Sequence, residues 1–507
     1  MSTWNEGYTT DVQYTSFFHA ELAPSHLEFA SLANGFHAPN LQGKFAYCEL
    51  GCGQGVTLNA LAAVHPQANF WGLDFNPSQI VNAQRMADAA GLENVQLRDW
   101  SFAQALEHAD ELPRFDVIVL HGILSWVSDT NRQELVSFID RTLKPGGLVY
   151  ASYNALPGWA VMAPLRHLAR QHYLRNPKRS DLHVPDFVKF ADVMNEVSAL
   201  YFKSNPSVMG RFETMRKQPP AYLAHEFLNA NWRGFYVNEI AEQFGEARLD
   251  YLASATLIEN IPAASLPPGV AGLLQQHMPE DRIWQELAKD YANNKMFRRD
   301  LYCRGLNHLN AADQGRALAK TLFALTAPRS AVKIAFQGPV GEAGGAPDVY
   351  NPILDLLEKG AATFAQIVAT VPGRDHAKAL QAVILLVHSR QVLPITNSVP
   401  ESAGALNRFL VDAYFEGSSY HIIVAPRART ALNAAGNDLI LLGALLAGKK
   451  TPKEIASYGV ERLASNGRAL RHGDKALQGT AAVEHLVSQL GPELESRTAV
   501  WRDLGII

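Results

Sequence analysis

Between residues 45 and 154 short apolar runs alternate with stretches of helical period. The runs FAYCEL (45–50), NFWGLDF (69–75), NVQLRDW (94–100), RFDVIVLHG (114–122) and LKPGGLVYASYN (143–154) read as strands. Helices fall between them, over 54–64, 76–91 and 130–143. In the second helix Asn76 can cap, Pro77 suits the first turn and Gly91 can end it. Strands alternating with helices at this spacing predict an α/β fold with a doubly wound, Rossmann-like parallel sheet. Ligand would bind at the carboxyl ends of the strands.

After Trp159 the pattern turns helical: VMAPLRHLARQHYL, VPDFVKFADVMNEVSALYF and FETMRKQ predict a helical cap over those strand ends. Residues 235–258 then read strand, helix, strand and could rejoin the sheet. This divides the chain into a core with an N-terminal lid (1–158), a cap or regulatory region (159–304) and an α-rich C-terminal region (305–507). In the last part, ILDLLEKGAATFAQI (353–367) and LLGALLAGKKTPKEI (441–455) align without a gap. In each, a helix stops at glycine (Gly360, Gly448) and a threonine (Thr363, Thr451) caps the next. DHAKALQAVILLVHSRQVLPI adds a third helix and a strand to the first copy, so two winged-helix-like units are expected, at about 345–415 and 435–507. The third helix carries only Lys378 and Arg390 as cations. A DNA reader needs more basic groups to neutralise phosphates, so protein contact or substrate docking is the better reading and no nucleic acid is expected. Deleting the tail (305–507) should then leave cofactor affinity largely intact but reduce turnover.

Charge refines this picture only modestly. The net charge is -4, with residues 1–150 acidic (7 Lys/Arg against 16 Asp/Glu) and the remainder mildly basic. The basic stretch 166–217 reads first as a solvated helical face. No apolar run approaches bilayer length, and the start MSTWNEGYTT lacks a signal-peptide profile. With only three cysteines, Cys48, Cys52 and Cys303, a reducing cytoplasm is expected and a disulfide framework is not. Cys48 and Cys52 lack the partners of a metal site, so no metal is expected. The oligomeric state stays open, a homo-oligomer included.

Candidate chemistry gathers at CELGCGQG (48–55). Its glycines, Gly51, Gly53 and Gly55, are spaced GxGxG rather than GxGxxG, and Glu49 precedes them. A carboxylate there would repel a pyrophosphate but suits a cofactor tail bearing an ammonium and a sulfonium. Asp74, ending the second strand, can accept both ribose hydroxyls. Asp99, ending the third, can accept the adenine amino group. These features together indicate S-adenosylmethionine, with a nicotinamide cofactor as the alternative.

GYTTDVQYT (7–15), YCELGCGQG (47–55), LHGILSWVSD (120–129), SYNALPGW (152–159), AYLAHEFLN (221–229) and NKMFRRDLY (294–302) carry a wider likeness. On them the chain resembles the class I S-adenosylmethionine-dependent methyltransferases of bacteria that carry a methyltransferase regulatory region. That group includes proteins similar to the rickettsial lysine methyltransferases of outer-membrane proteins. The resemblance spans about the first 300 residues. It implies that Glu49 and the three glycines hold the methionine part, Asp74 the ribose, and Asp99 with Trp100 the adenine, with Phe75 also on the cofactor. Tyr8 and Tyr14 would close as a lid or anchor the segment, although Gln13 stands where many relatives carry proline.

At the reacting end, in-line methyl transfer needs alignment and exclusion of water, with a base only where the nucleophile arrives protonated. An Asn/Asp-Pro-Pro-Tyr/Phe loop is absent, and His121 to Trp126 stand in its place, against an adenine or glutamine methyltransferase. His121 is a candidate base or a contact to the cofactor tail. Trp126 and Trp159 are candidate aromatic walls or core residues. Tyr153 is expected to face the reaction chamber, with Asn154 orienting the acceptor. Protein lysine amines are the favoured acceptor. A small molecule or sugar intermediate, or a cofactor-sensing interaction protein, are the alternatives.

Overall fold

The computed structural model describes residues 7–12, 17–473 and 475–507. After helix α1 (Pro24–Ala33) come β1 (Ala46–Leu50), α2 (Val56–Val64), β2 (Asn69–Leu73), α3 (Pro77–Ala89), β3 (Val95–Arg98), α4 (Phe102–Glu107), β4 (Phe115–Leu120), α5 (Asp129–Thr142) and β5 (Leu143–Asn154). Every residue of β1 is buried, as a central parallel strand covered on both faces requires. Asn76 caps α3 by accepting from the Ser78 amide, with Pro77 in the first turn.

The cap follows as α6 (Ala163–Arg175), α7 (Ser180–Glu196), α8 (Leu200–Ser204), α9 (Pro206–Met215) and α10 (Pro220–Leu228). These helices close around their own apolar cluster, which includes Trp159, Phe187, Phe212 and Phe227. The chain then returns through α11 (Val237–Gly245), β6 (Leu249–Ser254) and β7 (Phe297–Arg304). The sheet is seven-stranded, in the order β3-β2-β1-β4-β5-β7-β6. Strands β1 to β5 run parallel, and β7 lies antiparallel between β5 and β6.

The core therefore does not stop at residue 158. Both β6 and β7 belong to its sheet, and the helices from 163 to 228 are an insertion. The reason is backbone pairing: without β7, the twelve-residue strand β5 would leave a row of unpaired donors and acceptors at its edge.

In the C-terminal region both threonine caps form, Thr363 with Gln366 and Thr451 with Glu454, each as a capping box. Gly360 and Gly448 both take the positive φ that ends the preceding helix. The echo ends there. In the first copy the helix His376–His388 follows, and its strand Val392–Ile395 pairs with the upstream strand Leu322–Leu325 rather than with a wing. In the second, the hairpin Leu470–Leu477 precedes the helix Gly479–Leu490. These pairings do not confirm the two winged-helix-like units.

Nor is the tail free-standing. Helix Glu401–Glu416 packs on α2 and α3 through Leu406 and Leu410 against Val56, Ala60, Val64 and Met86. The Ser402 hydroxyl donates to the Ala63 carbonyl at 2.7 Å. Arg429 reaches back to the Leu41 carbonyl and, at 3.3 Å, to His65.

Candidate active site

At the carboxyl ends of β1, β2, β4 and β5 lies a cavity of about 590 Å³, closed from above by α9, α10 and the N-terminal segment. Tyr8, Glu49, Gly51, Gly53, Asp74, Phe75, Trp100, His121, Trp126, Asn154 and Trp159 all line it. These eleven expected positions come from the core, the lid segment and the edge of the cap. The turn after β1 is drawn tight by Asp74. One of its carboxylate oxygens accepts from the Gly53 amide at 2.9 Å and the other from the Asn76 amide at 3.0 Å. Gly51 sits at φ +75°, and a Cβ there would come within 2.2 Å of the Ile123 side chain. The turn therefore needs glycine at that position for both backbone and space.

The charge pattern is telling. Burial pushes the Glu49 carboxyl up to about 8, helped by neighbouring Asp74. Burial likewise lifts Asp74 to about 6. One carboxylate oxygen of Glu49 is buried with no hydrogen-bond partner among the described residues. A buried carboxylate with an orphaned oxygen, Glu49, beside a half-buried one, Asp74, with no ion-pair partner for either among the described residues, fits a ligand that brings positive charge. A cofactor tail with an ammonium and a sulfonium meets that requirement, and a pyrophosphate does not. Tyr8 lies across the opening, its ring edge-on to Phe75 at 5.8 Å and tilted against His225 of α10 at 5.5 Å. It joins the ribose end of the site to the cap. Tyr14 lies outside the described residues.

Three expected positions fall elsewhere. Asp99 is exposed and is not among the lining residues, so Trp100, Ser101 and Phe102 form that wall. Gly55 is at the N-terminus of α2 with φ +66°, where a Cβ would strike Ala83 at 2.6 Å; its role is packing. Tyr153 does not face the chamber. It is 0% exposed, and its hydroxyl donates to Asp300 at 2.6 Å on the opposite side of the sheet. Side chains alternate along a strand, so Tyr153 and Asn154 cannot share a face. Tyr150, Ser152 and Asn154 take the cavity side; Tyr153 joins a buried network in which Arg298 pairs with Glu286, Asp290 and Asp300.

His121 stacks on His19 with ring centroids 3.7 Å apart. Its Nδ1 lies 3.0 Å from the Tyr150 hydroxyl and 3.3 Å from that of Ser152. Burial, with His19 and Arg299 nearby, holds the imidazole well below its ordinary proton affinity. At neutral pH it is an uncharged ring and a weak base.

Sequence patterns did not expose four further groups. Glu21 bonds Arg299 of β7 at 2.7 Å; burial opposes its ionisation, but Arg299, His121 and His19 outweigh this and hold it at about 2. Ligand atoms of His19, Glu21 and His121 lie within 4.8 Å of one another, a donor set of the kind that takes a metal ion. The Arg299 cation already occupies that carboxylate, which disfavours a second positive charge. Most consequential is Glu226 on α10. It is 7% exposed, lines the same cavity, accepts a hydrogen bond from Tyr222, and is pushed by burial up to about 8. Its one legible signal was the i, i+4 spacing of Tyr222 and Glu226 inside AYLAHEFLN.

Residues 48–149 match the family model described as "Methyltransferase domain", and residues 219–304 the one described as "Predicted methyltransferase regulatory domain". The Synechocystis protein sll1526 is 36% identical over 493 residues, 96% of each chain. RP789 of Rickettsia prowazekii is 29% identical over 298 residues, 58% of this chain and 52% of that one. Among solved structures, PKMT2 from Rickettsia typhi in complex with AdoHcy superposes with a TM-score of 0.70 at 18% identity, covering 97% of this chain and 99% of that one.

Proposed function

Because the chain belongs to the class I S-adenosylmethionine-dependent methyltransferases that carry a methyltransferase regulatory domain, we propose that its acceptor is an amine, and specifically a lysine side chain of a protein. The enzyme transfers methyl groups and S-adenosylmethionine is its cofactor. The observation that carries the finer reading is Glu226, a buried carboxylate in the same cavity as the cofactor turn. Arg166 is the cation that acts on Glu226 and does not overcome its burial, so the site favours an acceptor that brings its own positive charge, such as an ammonium, over a neutral hydroxyl or sugar.

In this reading Glu49 and the Gly51–Gly53 turn hold the methionine part, Asp74 and Phe75 the ribose, and Trp100 stands by the adenine. When bound, the cofactor supplies an electrophilic methyl on sulfur. Glu226 accepts the proton that a lysine, with a reference pKa near 10.4, must lose before its nitrogen can attack. Tyr222 orients that carboxylate. Asn154, whose buried amide nitrogen has no partner among the described residues, is free to contact the acceptor. Trp126 and Trp159 wall the approach and exclude water. His121, uncharged and stacked on His19, shapes the floor near the methionine part rather than moving the proton. The fold shared with PKMT2 over nearly the whole chain supports a protein acceptor.

Incubation of the enzyme with methyl-labelled S-adenosylmethionine and fractionated lysate tests this. Label should enter protein and be released by acid hydrolysis as ε-N-methyl-lysine; label confined to small molecules refutes the lysine reading. Glu226→Gln should lower the maximal rate by about 10²- to 10⁴-fold, the usual range for a positioned base, with cofactor affinity nearly unchanged.

A further inference from the structure

A second cavity, of about 190 Å³, lies where the C-terminal region meets the core. Its walls include Glu21 and His26 from the N-terminal part, Arg299 from β7, and His388, Arg390 and Thr430 from the C-terminal region. Two arginines face it against a single carboxylate, and that carboxylate, Glu21, is already paired with Arg299 at 2.7 Å. Arg390 has no carboxylate within ion-pair distance among the described residues, and its guanidinium donates one hydrogen bond, to the Ala431 carbonyl at 2.7 Å. Burial lowers its proton affinity to about 10, and Glu21, already bonded to Arg299, offsets this only in part. Thr430 is 3% exposed, and its hydroxyl is buried with no hydrogen-bond partner among the described residues. The Nε2 atoms of His26 and His388 are engaged with the carbonyls of Ala255 at 2.8 Å and Gln337 at 3.2 Å.

Arg299 lines this cavity and the cofactor cavity alike. From the unpaired guanidinium, the orphaned hydroxyl and this shared arginine, we propose that the second cavity is a binding site for a small oxyanion of the phosphate class, and that its occupancy tightens the hold on S-adenosylmethionine. The anion bridges Arg390 and Arg299 and takes the hydrogen of the Thr430 hydroxyl. In doing so it competes with Glu21 for Arg299. The Glu21 charge then acts on His19 and His121 in the cofactor cavity without its counter-ion. A more negative cavity favours the sulfonium of S-adenosylmethionine over the neutral thioether of S-adenosylhomocysteine, so the anion would favour substrate over product.

Calorimetry on the full-length protein with inorganic phosphate, against chloride at equal ionic strength, tests the proposal. Phosphate should bind saturably, and Arg390→Gln should weaken it at least about tenfold while leaving basal cofactor binding in place. Thr430→Val, which removes the hydroxyl without removing a charge, should also weaken it and serves if Arg390→Gln does not fold. Saturating phosphate should tighten S-adenosylmethionine by about fivefold, the lower end of ordinary coupling between sites, and S-adenosylhomocysteine by less. By reciprocity the cofactor should tighten phosphate by the same factor. Phosphate binding that does not saturate, or that is equal in the wild type and both variants, overturns the site. Equal responses of the two cofactor forms overturn the coupling.

Discussion

Affinity for the cofactor should depend steeply on pH below neutrality, with Glu49 as the reason. With no ligand, burial and Asp74 hold the Glu49 carboxyl near 8, against an ordinary 4.5. Pairing with the cofactor ammonium requires the ionised form, so bound cofactor lowers that value and affinity grows as pH rises towards 8. At pH 6 about one per cent of Glu49 is ionised and at pH 7.5 about a quarter. Affinity should therefore rise by about 25-fold, roughly 2 kcal/mol, across that window. The window keeps the α-amino group of the ligand largely protonated, since such groups titrate near 7.7 to 8.0. Isothermal titration at pH 6.0, 6.5, 7.0 and 7.5 measures it, and S-adenosylhomocysteine, which retains the ammonium, should show nearly the same slope. In the cofactor-free protein the sign is opposite. A carboxyl raised on folding is destabilising once pH passes its unfolded value, so stability falls as pH rises from about 4.5 to 8, by up to roughly 5 kcal/mol. Glu49→Gln should thus weaken the cofactor, lose most of the pH slope, keeping only the roughly twofold part due to Asp74 at about 6, and raise the melting temperature of the cofactor-free protein at pH 8. A dissociation constant flat across the window, or a Gln variant that keeps the full slope, would refute this account.

Tyr153→Phe should leave the rate within about twofold but lower stability by about 1 to 3 kcal/mol, because it strips a partner from the buried Asp300 carboxylate; urea unfolding alongside a rate assay separates the two, and a large loss of rate without loss of stability would restore Tyr153 to the chemistry. Deleting residues 305–507 should give an aggregating or non-cooperatively unfolding protein, contrary to a removable tail, since the helix Glu401–Glu416 covers apolar side chains of α2 and α3; a monomeric truncation that binds S-adenosylmethionine with unchanged affinity would refute it.

Much of the core was legible because its signals are local. Strand β1, the glycine turn and the Asn76-Pro77 cap depend on residues a few positions apart, and the structure places them as the pattern indicates. Glu49 and Asp74 were legible as a pair because strand ends in this fold converge on one cavity. The capped helices at Thr363 and Thr451 were likewise set by short-range hydrogen bonds. Tyr153 was misread because strand parity decides the face, and neither an isolated strand nor its apolar pattern reveals the parity when both faces are buried.

What sequence alone determined here is therefore the βα order of the core, the glycine turn after its first strand, and the local caps. Tertiary structure decided the rest. It inserted β7 between β5 and β6, so that Arg299 falls on the cavity face and Arg298 on the other. It carried Glu226 from an apolar helix into the cofactor cavity, and set His19 against His121 across about a hundred residues of chain. Long-range pairings of this kind leave no periodic trace, because burial, charge compensation and sheet-edge closure act on the folded chain and not on neighbouring residues.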